Sequence, residues 1–440
     1  MKILEYTLGL PPFRRGGLPR YSKELTETLA ERRHDVTLSY PGHMQLLNNK
    51  PKFKFRKTRD NYKVYELVNP MPVSLGLGID SPSAFYAPKD VKYIEDFLRK
   101  QQFDVIHIHT LMGLPLEFLQ VAHKLGVRLI YTTHDFYGLC PKFLEKNAVK
   151  HLTTTKCSPD CMICPKGPSL AKMYVMQSRS YMKLKNTQFI KGIRKKQKNK
   201  LTINNNKISM LEAQKKYDLL NYYNKMFLLI DKFHFNSNIA KSIFEKYFSQ
   251  INGTVLNITE KKLQCSSHNY NNLHKKIVFS YVGPYDYKKG FYLLEKVLVE
   301  LRKKYKNFEV HVCGDNKSDL SFLKYKWVKN YGILTSEQMN SFYSSTDILI
   351  MPSLWHETFG FVVLEALCKG IICIASENVG SSDLLPSNLI FNDKTDLIQK
   401  IESFLSNPDL ISDEADKVSN LSLPINFDSH VEEVEQNFYY

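Results

Sequence analysis

Short apolar runs alternate along the chain with stretches in which apolar residues return every three or four positions. In the first third, Ile3–Tyr6, Asp35–Ser39, Val105–His109 and Leu129–Thr133 read as strands, with helices over Tyr21–Ala30 and Leu116–Lys124 between them. After a polar stretch the rhythm returns. Ile277–Val282, Phe308–Cys313, Ile348–Met351 and Ile371–Ala375 read as strands, and Tyr292–Lys303, Ser336–Tyr343 and Phe361–Cys368 as helices, with Thr335 as an N-cap. Strands that alternate with helices predict parallel sheets joined by crossover helices, here two doubly wound units. The middle breaks the pattern. Residues 140–170 are rich in Cys, Pro and Lys, 170–225 read as one or two long helices with a loop at LTINNNKIS, and Met226–Ile230 reads as a returning strand. Residues 258–275 are polar and aperiodic, which predicts a linker. The expected division is 1–257, carrying an insertion over 140–225, then the linker, then 276–422. Ligands of such sheets bind beyond the carboxyl ends of the strands, so a cleft between the units is the expected site.

Composition narrows the class. The chain has 440 residues, 43% of them hydrophobic and 24% charged, which fits a globular protein of two or three domains. No apolar run approaches the roughly 20 residues that span a bilayer. Glu5 interrupts the apolar start, so no signal peptide is expected. The net charge of +17 is unevenly spread: residues 166–211 hold twelve Lys or Arg and no acid, whereas 391–440 hold three Lys and eleven acids. Lys191, Arg194, Lys195 and Lys198 share one helix face. Together with Met173, Tyr174, Val175, Met176, Tyr181 and Phe189, they suit an anionic membrane surface, or simply a solvated and packed helix. A nucleic-acid partner would rest on charge alone and is not expected.

Chemistry concentrates in HETFGFVVLEALCKG, residues 356–370. Glu357 follows the strand ILIMPS, Thr358, Phe359 and Gly360 lead into a helix, and Glu365 lies on that helix. A helix N-terminus preceded by glycine offers backbone N–H groups to a phosphate. Two carboxylates beside it can accept hydroxyl hydrogens from a ribose or a hexose. The plain alternative is a buried helix with one capping acid and one partnered acid.

In this context the Glu-x7-Glu element, the strand DILIMPS before it and KGIICIASENVGSSDLL after it resemble the donor half of retaining glycosyltransferases of family 4. YVGPYDYKKG (281–290), VHVCGD (310–315) and VKNYGILTSEQMNSFYSSTDILIMPS (328–353) resemble further segments of that half, in order. In the first half, GGLPRYSKELTETLAERRHDVTL (16–38), FDVIHIHT (103–110), YTTHDFYGLCPK (131–142) and FHFNSNIAKSIFEKYF (233–248) resemble the acceptor domain. The resemblance implies an α/β GT-B fold: two Rossmann-like doubly wound parallel-sheet domains facing a cleft, with a final helix, 423–440, crossing back to the first domain. It also implies roles. Glu365 would bind the ribose hydroxyls, and Glu357 would lie beside the donor sugar. Lys289, after Gly283 and Lys288, would neutralise the diphosphate. Gly16 and Gly17 would form the loop facing acceptor and phosphate, and His134 would line the cleft. No catalytic metal is implied. One position departs: where the family has Arg directly after the glycine of this loop, the chain has Pro284, and Lys288 is the candidate substitute. His107 and His109, alternating with Ile106 and Ile108, read as core or rim residues.

Eight cysteines divide into two sets. Cys265, Cys313, Cys368 and Cys373 are scattered in apolar settings. Cys140, Cys157, Cys161 and Cys164 cluster, and four thiolates suit a structural zinc. Free thiols or a redox pair are the other readings. The expected protein is a cytoplasmic glycosyltransferase, peripheral on the inner face of a bacterial membrane. It would move sugar from a UDP- or GDP-sugar to a polyprenyl-linked or polysaccharide acceptor in capsule, exopolysaccharide or O-antigen assembly. Alternatives are a GT-B sugar-nucleotide epimerase and a catalytically weak partner subunit of another transferase.

Overall fold

The computed structural model describes residues 1–11, 13–14, 16–45, 50–59, 61–73, 81–139, 159, 169–185, 187, 190, 209–263, 265–268, 270 and 276–440. The chain forms two compact units. The first comprises Met1–Phe235, Ile243–Val255 and Val431–Tyr440, the second Asn236–Ser242 and Leu256–His430. Among the described residues, no helix is long and apolar enough to cross a membrane.

The first unit is built on eight strands: β1 (Lys2–Tyr6), β2 (Asp35–Pro41), β3 (Lys52–Arg59), β4 (Tyr62–Val68), β5 (Val105–Ile108), β6 (Arg128–Thr132), β7 (Lys232–Phe235) and β8 (Gly253–Val255). Their order across the sheet is β3-β4-β2-β1-β5-β6-β7-β8. All neighbours run parallel except β3, which pairs antiparallel with β4. The inner strands are apolar because helices cover both faces of a parallel sheet. β3 reads KFKFRKTR, and its lysines discourage pairing at the open edge. The chain winds outward from β1 to β2 and β4, then returns to place β5 on the other side of β1. The β1–β5 boundary is therefore the topological switch point, where the carboxyl ends of two strands diverge and leave a crevice.

The second unit repeats the plan with six parallel strands: β9 (Ile277–Val282), β10 (Phe308–Cys313), β11 (Val328–Asn330), β12 (Ile348–Met351), β13 (Ile372–Ser376) and β14 (Ile390–Phe391). Their order is β11-β10-β9-β12-β13-β14, so the switch point lies between β9 and β12. Its helices include Phe291–Lys304, Ser336–Ser344 and Phe361–Leu367. Thr335 does cap its helix, in a reciprocal capping box with Gln338.

Several expectations are corrected. Met226–Ile230 is not a strand: the helix Met210–Phe227 continues into it, and the strand is Lys232–Phe235, because the aromatic faces of Phe227 and Phe233 both pack inward across the turn. Of the one or two long helices expected over 170–225, Met210–Phe227 is one, with 18 residues, whereas the described part of 170–190 holds the short helices Leu170–Met176 and Arg179–Leu184, each capped by a serine. The described residues of the stretch expected as a linker, 258–263, 265–268 and 270, belong to the second unit. Ser266 N–H donates to the Cys368 carbonyl at 2.8 Å, and the Tyr270 hydroxyl donates to the Gly370 carbonyl at 2.8 Å, tying it to the second unit. Residues 236–242 also belong to that unit: the Ser237 hydroxyl donates to the Thr358 carbonyl, and Asn238 N–H to Asp383. Of 423–440, only Val431–Tyr440 belongs to the first unit. Cys265 is exposed, while Cys313, Cys368 and Cys373 are buried. Cys140, Cys157, Cys161 and Cys164 lie outside the described residues, as do Phe189, Lys191, Arg194, Lys195 and Lys198.

Candidate functional site

In the second unit, the loops that follow β9 and β12 are stitched together. The Lys288 carbonyl accepts from Leu354 N–H at 2.9 Å, from Trp355 N–H at 3.0 Å and from the Ser353 hydroxyl at 3.3 Å. That convergence brings Lys289 to Glu357, with Nζ 2.8 Å from Oε2. The backbone N–H of Lys289 donates to Asp286 Oδ1 at 2.9 Å and fixes the turn. Gly290 then opens the helix Phe291–Lys304 at φ 72°, and a Cβ there would lie 1.6 Å from the Pro352 carbonyl oxygen. Only glycine permits this approach of backbone to backbone, and the approach sets where Lys289 projects.

The Glu357 side chain is 11% exposed, and its second oxygen, Oε1, is buried without a hydrogen-bond partner. Buried carboxylate oxygens are normally satisfied, so an orphan here points to a donor the chain does not itself supply. Glu357 is held by its backbone: its N–H donates to Asn378 and its carbonyl accepts from Gly380 N–H. Gly360 caps Phe361–Leu367 at φ 97°, with Ser381 Oγ donating to its carbonyl at 2.9 Å. Phe359 is buried and packs edge-on against Phe361 at 5.3 Å. The Thr358 carbonyl is occupied by Ser237. Glu365, half-buried on that helix, accepts from the Tyr343 hydroxyl at 2.9 Å.

Gly283 follows β9, and its N–H donates to the Cys313 carbonyl. At the departing position, the Pro284 carbonyl accepts from the Tyr281 hydroxyl at 2.7 Å. Lys288 does not join Lys289 at Glu357. Its Nζ lies 4.7 Å over the Trp355 ring, a cation–π contact. A different lysine, Lys317, closes on this loop: its Nζ donates to the Tyr285 carbonyl and lies 3.7 Å from Asp315. Tyr343 and Lys317 carry no sequence signal of their own, because each matters only through what the fold puts beside it.

In the first unit, Gly16 caps the helix Gly17–Glu31 at φ 129°. From that helix, the Tyr21 ring packs against His134, with centroids 5.0 Å apart. His134 sits just past β6, half-buried, with Nε2 3.1 Å from His109 Nδ1. His107 and His109 are both fully buried, core rather than rim. Burial pushes the His109 imidazole down to about 3, so it is neutral at physiological pH. Beside His134, burial pushes Asp135 up to about 6, against hydrogen bonds from Tyr137 N–H and Thr110.

The second unit thus presents an ammonium–carboxylate pair at a switch point, an unpartnered carboxylate oxygen and a second carboxylate one helix away. The first presents a glycine-capped helix after β1 and a histidine just past β6. Residues 266–420 match the family model described as glycosyl transferases group 1, and residues 15–166 match glycosyltransferase family 4. An uncharacterized 41.2 kDa protein in the cps region of Klebsiella pneumoniae is 32% identical over 161 residues, covering 34% of this chain and 44% of that protein. An uncharacterized 42.6 kDa protein from the same region and organism is 23% identical over 421 residues, covering 93% and 94%. The Anabaena protein HepE, solved in complex with UDP and glucose, has 13% identity and a TM-score of 0.52, with 99% and 98% covered. The two family matches, one on each half and both on the α/β architecture just described, make the chain a member of the GT-B glycosyltransferases, of the group 1 and family 4 type.

Proposed function

We propose that this protein is a retaining glycosyltransferase that moves a sugar from a UDP- or GDP-sugar to a lipid-linked or polysaccharide acceptor during bacterial surface-glycan assembly. The observation that carries the reading is the Lys289–Glu357 pair at the β9–β12 switch point, with Glu357 Oε1 buried and unpartnered. A donor-sugar hydroxyl would satisfy Oε1. Departure of a nucleoside diphosphate builds negative charge, and a pre-placed ammonium at Lys289 would stabilise it without reorganisation. Glu365, oriented by Tyr343, would hold the ribose diol, leaving Gly283, Thr358, Phe359 and Gly360 to shape the donor loop. Retention would follow from front-face attack, with the leaving diphosphate taking the acceptor proton, so neither glutamate needs to act as a nucleophile. The relatives from the Klebsiella cps region support surface-glycan assembly, and the neighbour holding UDP and glucose supports the donor class.

Membrane attachment through the basic stretch, a cytoplasmic location on the inner leaflet, and a structural zinc at Cys140, Cys157, Cys161 and Cys164 belong to the same proposal. Purified protein carrying about one zinc per chain, lost on replacing Cys161 and Cys164 by serine, is the expected metal analysis. The test of function is a screen of nucleotide sugars for binding and hydrolysis, comparing wild type with Glu365→Ala. One UDP- or GDP-sugar should bind, with affinity reduced roughly 10–100-fold in the variant, the loss of one or two charge-assisted hydrogen bonds. Binding of none to either protein would overturn the reading in favour of a partner subunit, the outcome that Pro284 makes specific.

A further inference from the structure

Two thiols that are remote in sequence meet in the second unit. Ser266 N–H donates to the Cys368 carbonyl at 2.8 Å, so the backbone at Cys265 runs beside that at Cys368. A Cβ built on Gly370 would lie 3.0 Å from the His268 backbone nitrogen and 3.6 Å from the Ser266 carbonyl oxygen, so the two segments stay together beyond this one bond. Between them, the Cys265 and Cys368 thiols share a hydrogen bond. Their access differs: Cys265 is exposed, whereas Cys368 is only 3% exposed. The two other described thiols face different groups. Cys313 Sγ lies 3.9 Å from Met339 Sδ, and Cys373 Sγ lies 3.5 Å from the Ile371 carbonyl oxygen. The proposed transfer uses neither Cys265 nor Cys368.

The position of the pair gives it leverage. Cys368 is the C-cap of Phe361–Leu367, the helix that carries Glu365, and its N–H donates to the Leu364 carbonyl at 2.9 Å. Lys289, Glu357 and Glu365 all lie between positions 265 and 368. A bond between the two sulfurs would close one loop around all three. It would take conformational entropy from the unfolded chain, most of all for so long a loop.

We propose that Cys265 and Cys368 form a reversible thiol–disulfide site, in which a low-molecular-weight disulfide reacts at exposed Cys265 and buried Cys368 completes the exchange. In the first step the Cys265 thiolate attacks one sulfur of the reagent. A mixed disulfide forms, the reagent's S–S bond breaks, and one small thiolate leaves and takes up a proton. In the second step Cys368 Sγ attacks the Cys265 sulfur. The Cys265–Cys368 bond forms, the mixed disulfide breaks, and the second small thiol leaves with the proton given up by Cys368. Two electrons pass from the protein thiols to the reagent, and an excess of small thiol reverses both steps. The order of the steps follows from the surroundings. Burial, the Cys265 hydrogen bond and Glu260 hold the Cys368 thiol well above the ordinary thiol range, against Lys369. Thiolates are the nucleophiles, so entry falls to Cys265. Cys368 then acts because its sulfur is already beside its target.

The experiment treats the full chain with oxidised glutathione at neutral pH, blocks the remaining thiols and maps disulfides by mass spectrometry of a non-reducing digest. Wild type should yield the peptide pair joined through Cys265 and Cys368, at least about tenfold faster in native buffer than in concentrated urea, since folding supplies the proximity. Reduced glutathione in excess should release it. In Cys368→Ser the reaction should stop at glutathione on Cys265. Wild type stopping there as well, or joining Cys265 to a different cysteine, would overturn the proposal, and this reading needs no variant to fold. A pair joined no faster in native buffer than in urea would overturn it equally. Oxidised wild type should also unfold at higher urea than reduced wild type, with the gain absent from Cys265→Ser treated in the same way. An equal gain in that variant would assign the effect to other cysteines and remove the clasp.

Discussion

At the scale of single residues, the donor-side geometry depends on who neutralises whom. Lys289 is the counter-ion of Glu357, whose side chain is only 11% exposed. In Lys289→Met the carboxylate keeps its burial and loses its cation. Donor hydrolysis kcat should fall about 10²–10³-fold, the cost of one pre-organised electrostatic group. Because Lys289 is itself 31% exposed, solvent softens the effect on folding, and the melting temperature should move by only a few degrees. Tyr343→Phe tests a subtler dependence. It removes only the hydroxyl that orients Glu365, so nucleotide affinity should weaken by about 3–10-fold, one ordinary hydrogen bond, with hydrolysis kcat at saturating donor unchanged. A loss as large as that of Glu365→Ala would mean that Tyr343 itself touches the nucleotide.

Secondary-structure elements matter here mainly through where they stop. β9 and β12 end side by side, and the helix Phe291–Lys304 starts against Pro352 with no room for a side chain at Gly290. Gly290→Ala adds a Cβ in a left-handed conformation and against a carbonyl that cannot step aside. The two penalties together come to about 2–5 kcal/mol. Chemical denaturation should show that loss, together with weakened donor binding, since relief of the clash moves the turn carrying Lys289. Helix Gly17–Glu31 plays the matching part in the first unit: it starts at Gly16 and sets Tyr21 against His134. The C-terminal segment is another stopping point that the first unit needs. Phe438 and Tyr439 are buried, Glu435 pairs with Arg32 and His34, and Tyr439 holds Glu5.

For the molecule as a whole, pH is the accessible probe, because two buried groups of opposite sense sit in one network. His109 is pushed from 6.5 down to about 3, so between those values the native state binds fewer protons than the unfolded chain and stability rises with pH. Glu5 is pushed from 4.5 up to about 7, so over that interval the native state binds more protons and stability falls with pH. The two slopes oppose each other between 4.5 and 6.5 and separate outside it. His43 and His311, pushed down to about 4 mainly by burial, add to the His109 side, and Asp135 and Asp347, pushed up to about 6 mainly by burial, add to the Glu5 side. Urea midpoints should therefore be nearly flat from about pH 5 to 6.5 and fall on acidification below about 4.5. The fall should be shallower in His109→Asn, and an equally steep fall in that variant would rule out His109 as its source.

Much of this was legible in the sequence, for physical reasons that can be named. Parallel strands buried on both faces must be apolar throughout, so IVFSYV, FEVHVC and ILIM announce themselves, as does the Thr335 cap. Ordered short motifs around Glu357 and Glu365 carried the family as well. The edge strand β3, five of whose eight residues are lysine or arginine, gave no such signal, since an edge has only one neighbour and needs less apolar surface. Met226–Ile230 misled because an apolar run of five residues fits the end of a buried helix as well as a strand. Glu5 read only as a charge breaking an apolar run. That its partners are His109, 104 residues away, and Tyr439, 434 away, is not contained in any local pattern. The same holds for Tyr343 at Glu365 and for Lys317 at the Pro284 loop. The sequence by itself determined the element types, the two-unit plan and the chemical class, because these follow from local periodicity and residue chemistry. Tertiary structure alone decided which carboxylate is paired, which is left open and which is wired to a histidine. Those are properties of distance and burial, which exist only once remote segments have been brought together.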